Sequence, residues 1–288
     1  MKYVEIKIGV SPEHQEQLIA DLASLGFTGF QQLDDILLGY IGGENFSQTD
    51  IDQLEQQLKV YSFEAGLLSW RYIEEENWND AWEQTLTPQF VGKFFIKPSW
   101  SEIEPPSDTT LLKIDPKMSF GTGYHETTRL MLRKIPDIIE EGDKVLDAGT
   151  GTGILAIAAA KMGAEWVFGF DIDEWSYQNA SENITLNEVE DQVTLAKGDE
   201  QVIPDDVSFD VIIANINRSV IIPMLPRMMG LLKMDGSLVL SGLTQSDHEK
   251  VEENEIMKQF TSLLDVTEDG EWICMHYRKT SEEAPAGV

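Results

Sequence analysis

Lys144-Val145-Leu146-Asp147-Ala148-Gly149-Thr150-Gly151-Thr152-Gly153-Ile154-Leu155-Ala156-Ile157-Ala158-Ala159-Ala160 is a short apolar run that passes through three alternating glycines into an alanine-rich segment. The pattern predicts a buried strand, a tight loop and a helix. Glycines in such a loop let the backbone turn and approach a ligand without a Cβ in the way, and the helix behind them presents free N–H groups. Trp166-Val167-Phe168-Gly169-Phe170-Asp171 then repeats the apolar run and closes it with an acid. That acid stands about twenty residues past the first glycine, where a second strand aims a carboxylate at ribose hydroxyls. The two stretches together read as a nucleotide-type cofactor site.

From residue 143 onward strand and helix patterns alternate. Strands are expected at 144–147, 166–171, 193–197, 209–214, 237–241, 263–267 and 272–278, with helices at 154–162, 174–187, 221–232 and 246–260 between them. Alternation of this kind gives a doubly wound, seven-stranded, mainly parallel α/β sheet whose ligands sit at the carboxyl ends of the strands, where the strand order reverses. The strand ends at Asp147, Asp171 and Ala214-Asn215 are expected to converge there.

The N-terminal part reads differently. Residues 3–10 alternate as a half-buried strand, Ser11-Pro12-Glu13 opens a helix that runs to Gly26, and residues 27–33 and 36–41 flank Asp34-Asp35 as a hairpin. A second helix at 49–58 and a strand at 67–73 complete a β-α-β-β-α-β order, the ferredoxin-like arrangement, which commonly serves as a recognition module. The expected division is a recognition domain over 1–75, a connector with pre-domain strands over 76–118, a cofactor-binding catalytic domain over 119–280 and a tail over 281–288. Trp78 and Trp82, four apart, are expected to staple the connector to a domain surface.

A second glycine-rich turn precedes the first: Ser119-Phe120-Gly121-Thr122-Gly123-Tyr124-His125-Glu126-Thr127-Thr128 leads into a helix with hydroxyls at its start. Two such turns within about thirty residues suggest one shared ligand, against the plainer reading of a helix N-cap with flexible glycines. His125-Glu126 does not open a zinc helix, because Arg129 stands where the second histidine belongs, and no metal site is expected.

The 288 residues carry 21 basic and 51 acidic side chains, a net charge of -30. Such a surface repels nucleic acid and favours encounter with basic partners, although solubility or a salty habitat accounts for the charge equally well. The apolar runs fall short of the roughly 20 residues of a membrane span, and the start of the chain has no signal core. A cytoplasmic location is therefore expected. The one cysteine, Cys274, excludes an internal disulfide and reads as a small buried hydrophobe.

The glycine loop departs from the dinucleotide fingerprint G-x-G-x-x-G. Its glycines alternate, and Asp147 closes the strand before them, badly placed for an anionic pyrophosphate. S-adenosyl-L-methionine fits better: it has no phosphate, it carries a sulfonium and an ammonium beside which a carboxylate is favourable, and it offers ribose hydroxyls to Asp171.

Asn77-Trp78 with Trp82, Phe120-Gly121-Thr122-Gly123-x-His125-x-Thr127-Thr128, Asp147-x-Gly149-Thr150-Gly151-x-Gly153-Ile154-Leu155-Ala156, Asp171-Ile172-Asp173 and Ala214-Asn215-Ile216 together resemble the bacterial methyltransferases of large-subunit ribosomal protein eleven. The resemblance covers nearly the whole chain, and the FGTG-x-H-x-TT segment separates that family from other enzymes with the methyltransferase sheet. Ser119, Thr152 and the residues after Lys279 depart from the family pattern. The resemblance implies transfer of methyl groups to lysine side chains and the N-terminal α-amine of a basic ribosomal protein held by the N-terminal domain, by a monomeric enzyme that does not bind nucleic acid directly. It carries cofactor contacts to Thr128, Gly149, Asp171 and Asn215, with Phe120 and Thr127 beside them; Asp147 and Gly151 join them from the loop reading. Asn215 would position the incoming amine, and His125 is a candidate proton acceptor. The rival readings are a methyltransferase of the same core acting on another protein or a small-molecule amine, and a non-catalytic binding protein of this fold.

Overall fold

The computed structural model describes residues 2–43, 46, 48–59, 65–74, 86–117 and 119–281. The chain divides into two compact units, Met1–Trp78 and Asn79–Val288. Trp78 and Trp82 lie outside the described residues.

In the first unit β1 (Lys2–Val10) leads into helix α1 (Pro12–Ser24), with proline in its first turn, where a missing N–H costs nothing. The hairpin β2 (Gly29–Leu33) and β3 (Ile36–Gly42) follows, then α2 (Gln48–Leu58) and β4 (Ala65–Glu74). The strands lie in the order β2-β3-β1-β4, every neighbour antiparallel. Alternation along β1 sends Val4, Ile6, Ile8 and Val10 to one face, where they pack with Leu18 and Leu22 of α1 and Ile51, Leu54 and Leu58 of α2. Gln15 on α1 donates its amide to the carbonyls of Leu33 and Asp34 and so ties the helix to the hairpin turn.

The second unit begins with β5 (Gln89–Val91), β6 (Phe94–Lys97) and β7 (Thr110–Lys113), a three-stranded sheet, followed by helix α3 (Glu126–Ile138). Then come β8 (Lys144–Ala148), α4 (Ile154–Lys161), β9 (Trp166–Asp171), α5 (Glu174–Leu186), β10 (Val193–Lys197), β11 (Phe209–Asn215), α6 (Arg218–Leu231) and β12 (Leu232–Thr244). Short helices α7 (His248–Glu252) and α8 (Glu255–Phe260) precede the closing hairpin of β13 (Thr261–Asp269) and β14 (Trp272–Lys279).

The large sheet has seven strands in the order β10-β9-β8-β11-β12-β14-β13, parallel except for β14. From β8 the chain winds outward through β9 and β10 and then returns to β11 on the other side, so the order reverses between β8 and β11. Crossover chirality makes that point a crevice at the carboxyl ends of the strands. Two apolar layers cover the faces: α3, α4 and the small sheet pack on one, α6 and the short helices on the other. Among the described residues no helix is long and apolar enough to cross a membrane.

Three elements differ from the sequence reading. Helix α6 starts at Arg218 rather than 221, because the Asn217 carbonyl accepts the N–H groups of Val220 and Ile221 and begins the turn early. The helix expected over 246–260 is broken, since the Asn254 side chain accepts from the N–H of Ile256 at 3.0 Å and caps a fresh helix. Strand β12 is longer than expected and shifts register between Leu240 and Leu243, at Gly242 with φ of 77°.

Candidate functional site

The glycine loop is built where the sequence placed it. Gly149, Gly151 and Gly153 have φ values of 73°, 56° and 81°, the left-handed region where a side chain is strained. A Cβ at Gly149 would overlap Ile216, and one at Gly151 would overlap the carbonyl of Phe120, so here the glycines serve close packing between chain segments. The loop is fastened to the end of β9, whose Phe170 carbonyl accepts the N–H groups of Gly149 and Thr150, both at 3.0 Å. It is fastened equally to the second glycine turn: Thr152 donates its N–H to Phe120 O at 2.8 Å and its hydroxyl to Gly121 O at 2.6 Å. The two glycine-rich turns thus form one double loop at the switch point.

Asp171 ends β9 at the rim. Its Oδ2 accepts from Gly151 N at 2.9 Å and its Oδ1 from Asp173 N at 3.0 Å, which fixes the carboxylate and leaves each oxygen a further lone pair. Asn215 ends β11 beside the loop and is 9% exposed. Its Nδ2 reaches Thr128 Oγ1 at a long 3.5 Å, while its Oδ1 has no partner within the protein. A buried carbonyl oxygen left open in this way costs free energy unless a ligand donates to it.

Asp147 is not at the surface of this site. It lies beneath the loop, 1% exposed, its Oδ2 accepting from the Thr150 hydroxyl at 2.7 Å and its Oδ1 unpartnered. Burial pushes its carboxyl up to about 7, against the pull of the Thr150 hydroxyl and the Ala156 N–H, with the nearby Asp171 charge adding to the rise. The expectation that Asp147 meets the ligand directly is corrected accordingly. The acid instead faces the first turn of α4 from inside, near the Ala156 N–H.

His125 is the N-cap of α3. Its Nδ1 accepts from Thr127 N at 3.3 Å and lies 2.9 Å from Thr127 Oγ1. Its ring stands between those of Phe120 and Trp272. Nδ1 of this candidate proton acceptor is thus engaged in capping the helix.

A cavity of about 500 Å³ opens among these groups, in the range of cofactor sites. It is lined by seven of the expected residues, Phe120, His125, Thr127, Gly149, Gly151, Asp171 and Asn215. Thr128 is fully buried behind Asn215 and, like Asp147, is not part of the lining. Sequence reading missed the apolar walls, Phe170, Ile172, Ile216, Val220 and Met224, as well as Trp272 and the group Gly198, Asp199 and Glu200 at the end of β10. The last group repeats the signal of a strand ending in an acid that marked Asp171. Trp272 has no local signal, because it arrives from the closing hairpin.

The model of one protein family, Ribosomal protein L11 methyltransferase, matches residues 2–280. The chain belongs to this family. The family member of Porphyromonas gingivalis is 38% identical over 236 residues, covering 80% of this chain and 79% of its own length. That of Dictyoglomus turgidum is 31% identical, covering 94% of this chain and 97% of its own. Among solved structures, the ribosomal protein L11 methylase of Lactobacillus delbrueckii subsp. bulgaricus superimposes with a TM-score of 0.63 at 29% identity, over 68% of this chain and all of the other. The chain is thus an enzyme of the methyltransferase class with a mixed α/β fold around a mainly parallel sheet, and the family resemblance carried by the glycine turns is borne out.

Proposed function

We propose that the cavity binds S-adenosyl-L-methionine and that the enzyme methylates lysine side-chain and N-terminal amines of ribosomal protein L11. The observation that carries this reading is the buried, unpartnered Oδ1 of Asn215 beside the glycine loop, an acceptor placed for an amine N–H. The lining fits the cofactor: Asp171 accepts the ribose hydroxyls, and Phe170 and Ile172 offer an apolar wall to the base. When bound, the cofactor supplies an electrophilic methyl group on a sulfonium. The protein's own part is alignment: Asn215 orients the amine, the double loop fixes the opposite side, and the apolar lining strips water from the nitrogen, which favours its neutral, nucleophilic form. His125 is read as a wall of the site rather than as a base.

The first unit is read as a ferredoxin-like module that holds the protein substrate, and the remainder, past the connector, as the catalytic domain. A cytoplasmic monomer is the expected state. The surface charge of -30 suits a basic substrate. Incubation with labelled S-adenosyl-L-methionine and the ribosomal proteins of the same cell tests the reading: label should appear in one small protein of the large subunit. Label on RNA alone, or on no macromolecule, refutes it. The segment 79–288 expressed alone should keep its cofactor affinity and lose protein methylation.

A further inference from the structure

One wall of the cavity consists of three aromatic rings drawn from two distant parts of the chain. The His125 ring lies 5.1 Å from that of Phe120, with planes at 61°, and 4.9 Å from that of Trp272, at 67°. All three line the same cavity as Asn215. Phe120 is 52% exposed, so its ring is not there to fill a core. Nδ1 of His125 accepts the Thr127 N–H at 3.3 Å, which holds the ring in this wall.

Trp272 is held in place from outside the cavity. It opens β14 just past the hairpin turn, and Asp269, its partner across that turn, accepts from Arg129 Nε at 3.2 Å, Arg129 Nη2 at 3.1 Å and Arg133 Nη1 at 3.2 Å. Both arginines lie on α3, whose N-cap is His125. The same helix therefore positions the histidine and anchors the hairpin that brings the tryptophan.

Methyl transfer breaks the bond from methyl carbon to sulfur and forms one from carbon to nitrogen; the sulfur leaves neutral and the positive charge passes to the nitrogen. The site must then accommodate an alkylammonium. Asn215 Oδ1 holds an amine only through an N–H, and each methyl added removes one, so a fully methylated nitrogen has none left to donate. Aromatic faces attract alkylammonium ions without needing an N–H. We propose that Phe120, His125 and Trp272 form a subsite for the substrate nitrogen that retains its methylated, cationic forms. The proposal rests on the amine-methylating reading of the site.

Calorimetric titration of the full chain, saturated with S-adenosylhomocysteine, tests it with two probes: Nε-trimethyl-lysine and its neutral isostere bearing a tert-butyl group in place of trimethylammonium. The cation should bind roughly three- to thirty-fold tighter than the isostere. Trp272→Ala should abolish that preference, and Trp272→Phe, which keeps a ring in the hairpin, should retain part of it. Equal affinities in the native chain, or an unaltered preference in Trp272→Ala, overturns the proposal. So does a Trp272→Ala chain that keeps the preference among the lysine probes but no longer distinguishes S-adenosylmethionine from S-adenosylhomocysteine, which would assign the ring to the sulfonium. Selective binding of the cation by a chain that transfers label to no protein amine supports the subsite and refutes the substrate reading.

Discussion

Replacing Asp147 with asparagine should change stability little in mild acid and stabilise the protein in mild base. The native carboxyl is raised from an ordinary 3.8 to about 7, chiefly by burial. Between these values the folded state binds a proton that the unfolded state has released, so stability falls as pH rises through this window. The full penalty is about three pKa units, or about 4 kcal/mol, reached above pH 7. Integration between the two pKa values leaves about 1.5 kcal/mol of it already present at pH 5, so the change from pH 5 to pH 8 is about 2.5 kcal/mol. Asparagine does not titrate. Its carbonyl can still accept from Thr150, but its amide nitrogen takes the place of the unpartnered Oδ1, where no acceptor receives its hydrogens, at a cost of about 1–3 kcal/mol at every pH. The difference in stability between Asp147→Asn and the native chain should therefore move by about 2.5 kcal/mol in favour of the variant from pH 5 to pH 8. In a unit of this size that is roughly 5–10 °C in the difference of Tm. Thermal unfolding of both proteins over this range is the assay. Titrating groups not coupled to Asp147 cancel in the difference, and a difference that stays flat refutes the account of Asp147 as a buried acid beneath the loop.

Asp171→Ala removes the acceptor that fixes Gly151 and the proposed acceptor of two ribose hydroxyls. Calorimetry should show S-adenosyl-L-methionine binding weakened roughly a hundredfold or more, and an unchanged affinity would sink the assignment. Gly151→Ala drives a Cβ into the Phe120 carbonyl and parts the double loop; on the order of tenfold weaker cofactor binding is expected in a chain that still folds. Asn183→Ala leaves the N–H of Asp115 and the carbonyl of Thr152 without their side-chain partners and should cost about 2–4 kcal/mol in denaturant unfolding. The exposed Gln178→Ala should stay within about 0.5 kcal/mol in the same assay. Cys274, 1% exposed and with its thiol pushed up to about 12, should resist thiol reagents at pH 8 until the chain unfolds, and rapid native labelling would contradict its burial.

Much of the fold was legible because its signals are local. Strand β8, the glycine loop and α4 announce themselves through a change of hydrophobic period and through three positions that only glycine occupies without strain. Asp171 and Asn215 stand out in the sequence because a polar residue closing a buried strand at a switch point has few other uses, and both line the cavity. The asparagines of α5 show what local reading cannot reach. Asn179, Asn183 and Asn187 share a face by their spacing of four, yet a polar face ordinarily means solvent. Here it pairs with backbone: Asn187 accepts from Lys113 N at 3.0 Å and donates to Lys113 O at 2.6 Å, while Asn183 accepts from Asp115 N and donates to Thr152 O. The helix completes the edge of β7 with side chains.

By itself the sequence determined the alternation of strand and helix, the carboxyl-end position of the site, and a glycine-rich loop at those strand ends. These follow from periodicity and turn stereochemistry, which act over a few residues. Only the tertiary structure decided on which side of the loop Asp147 lies, that Thr128 stands behind Asn215, and that Trp272 meets His125. Each of those depends on which groups are buried together, and burial is a property of contacts between segments far apart in the chain.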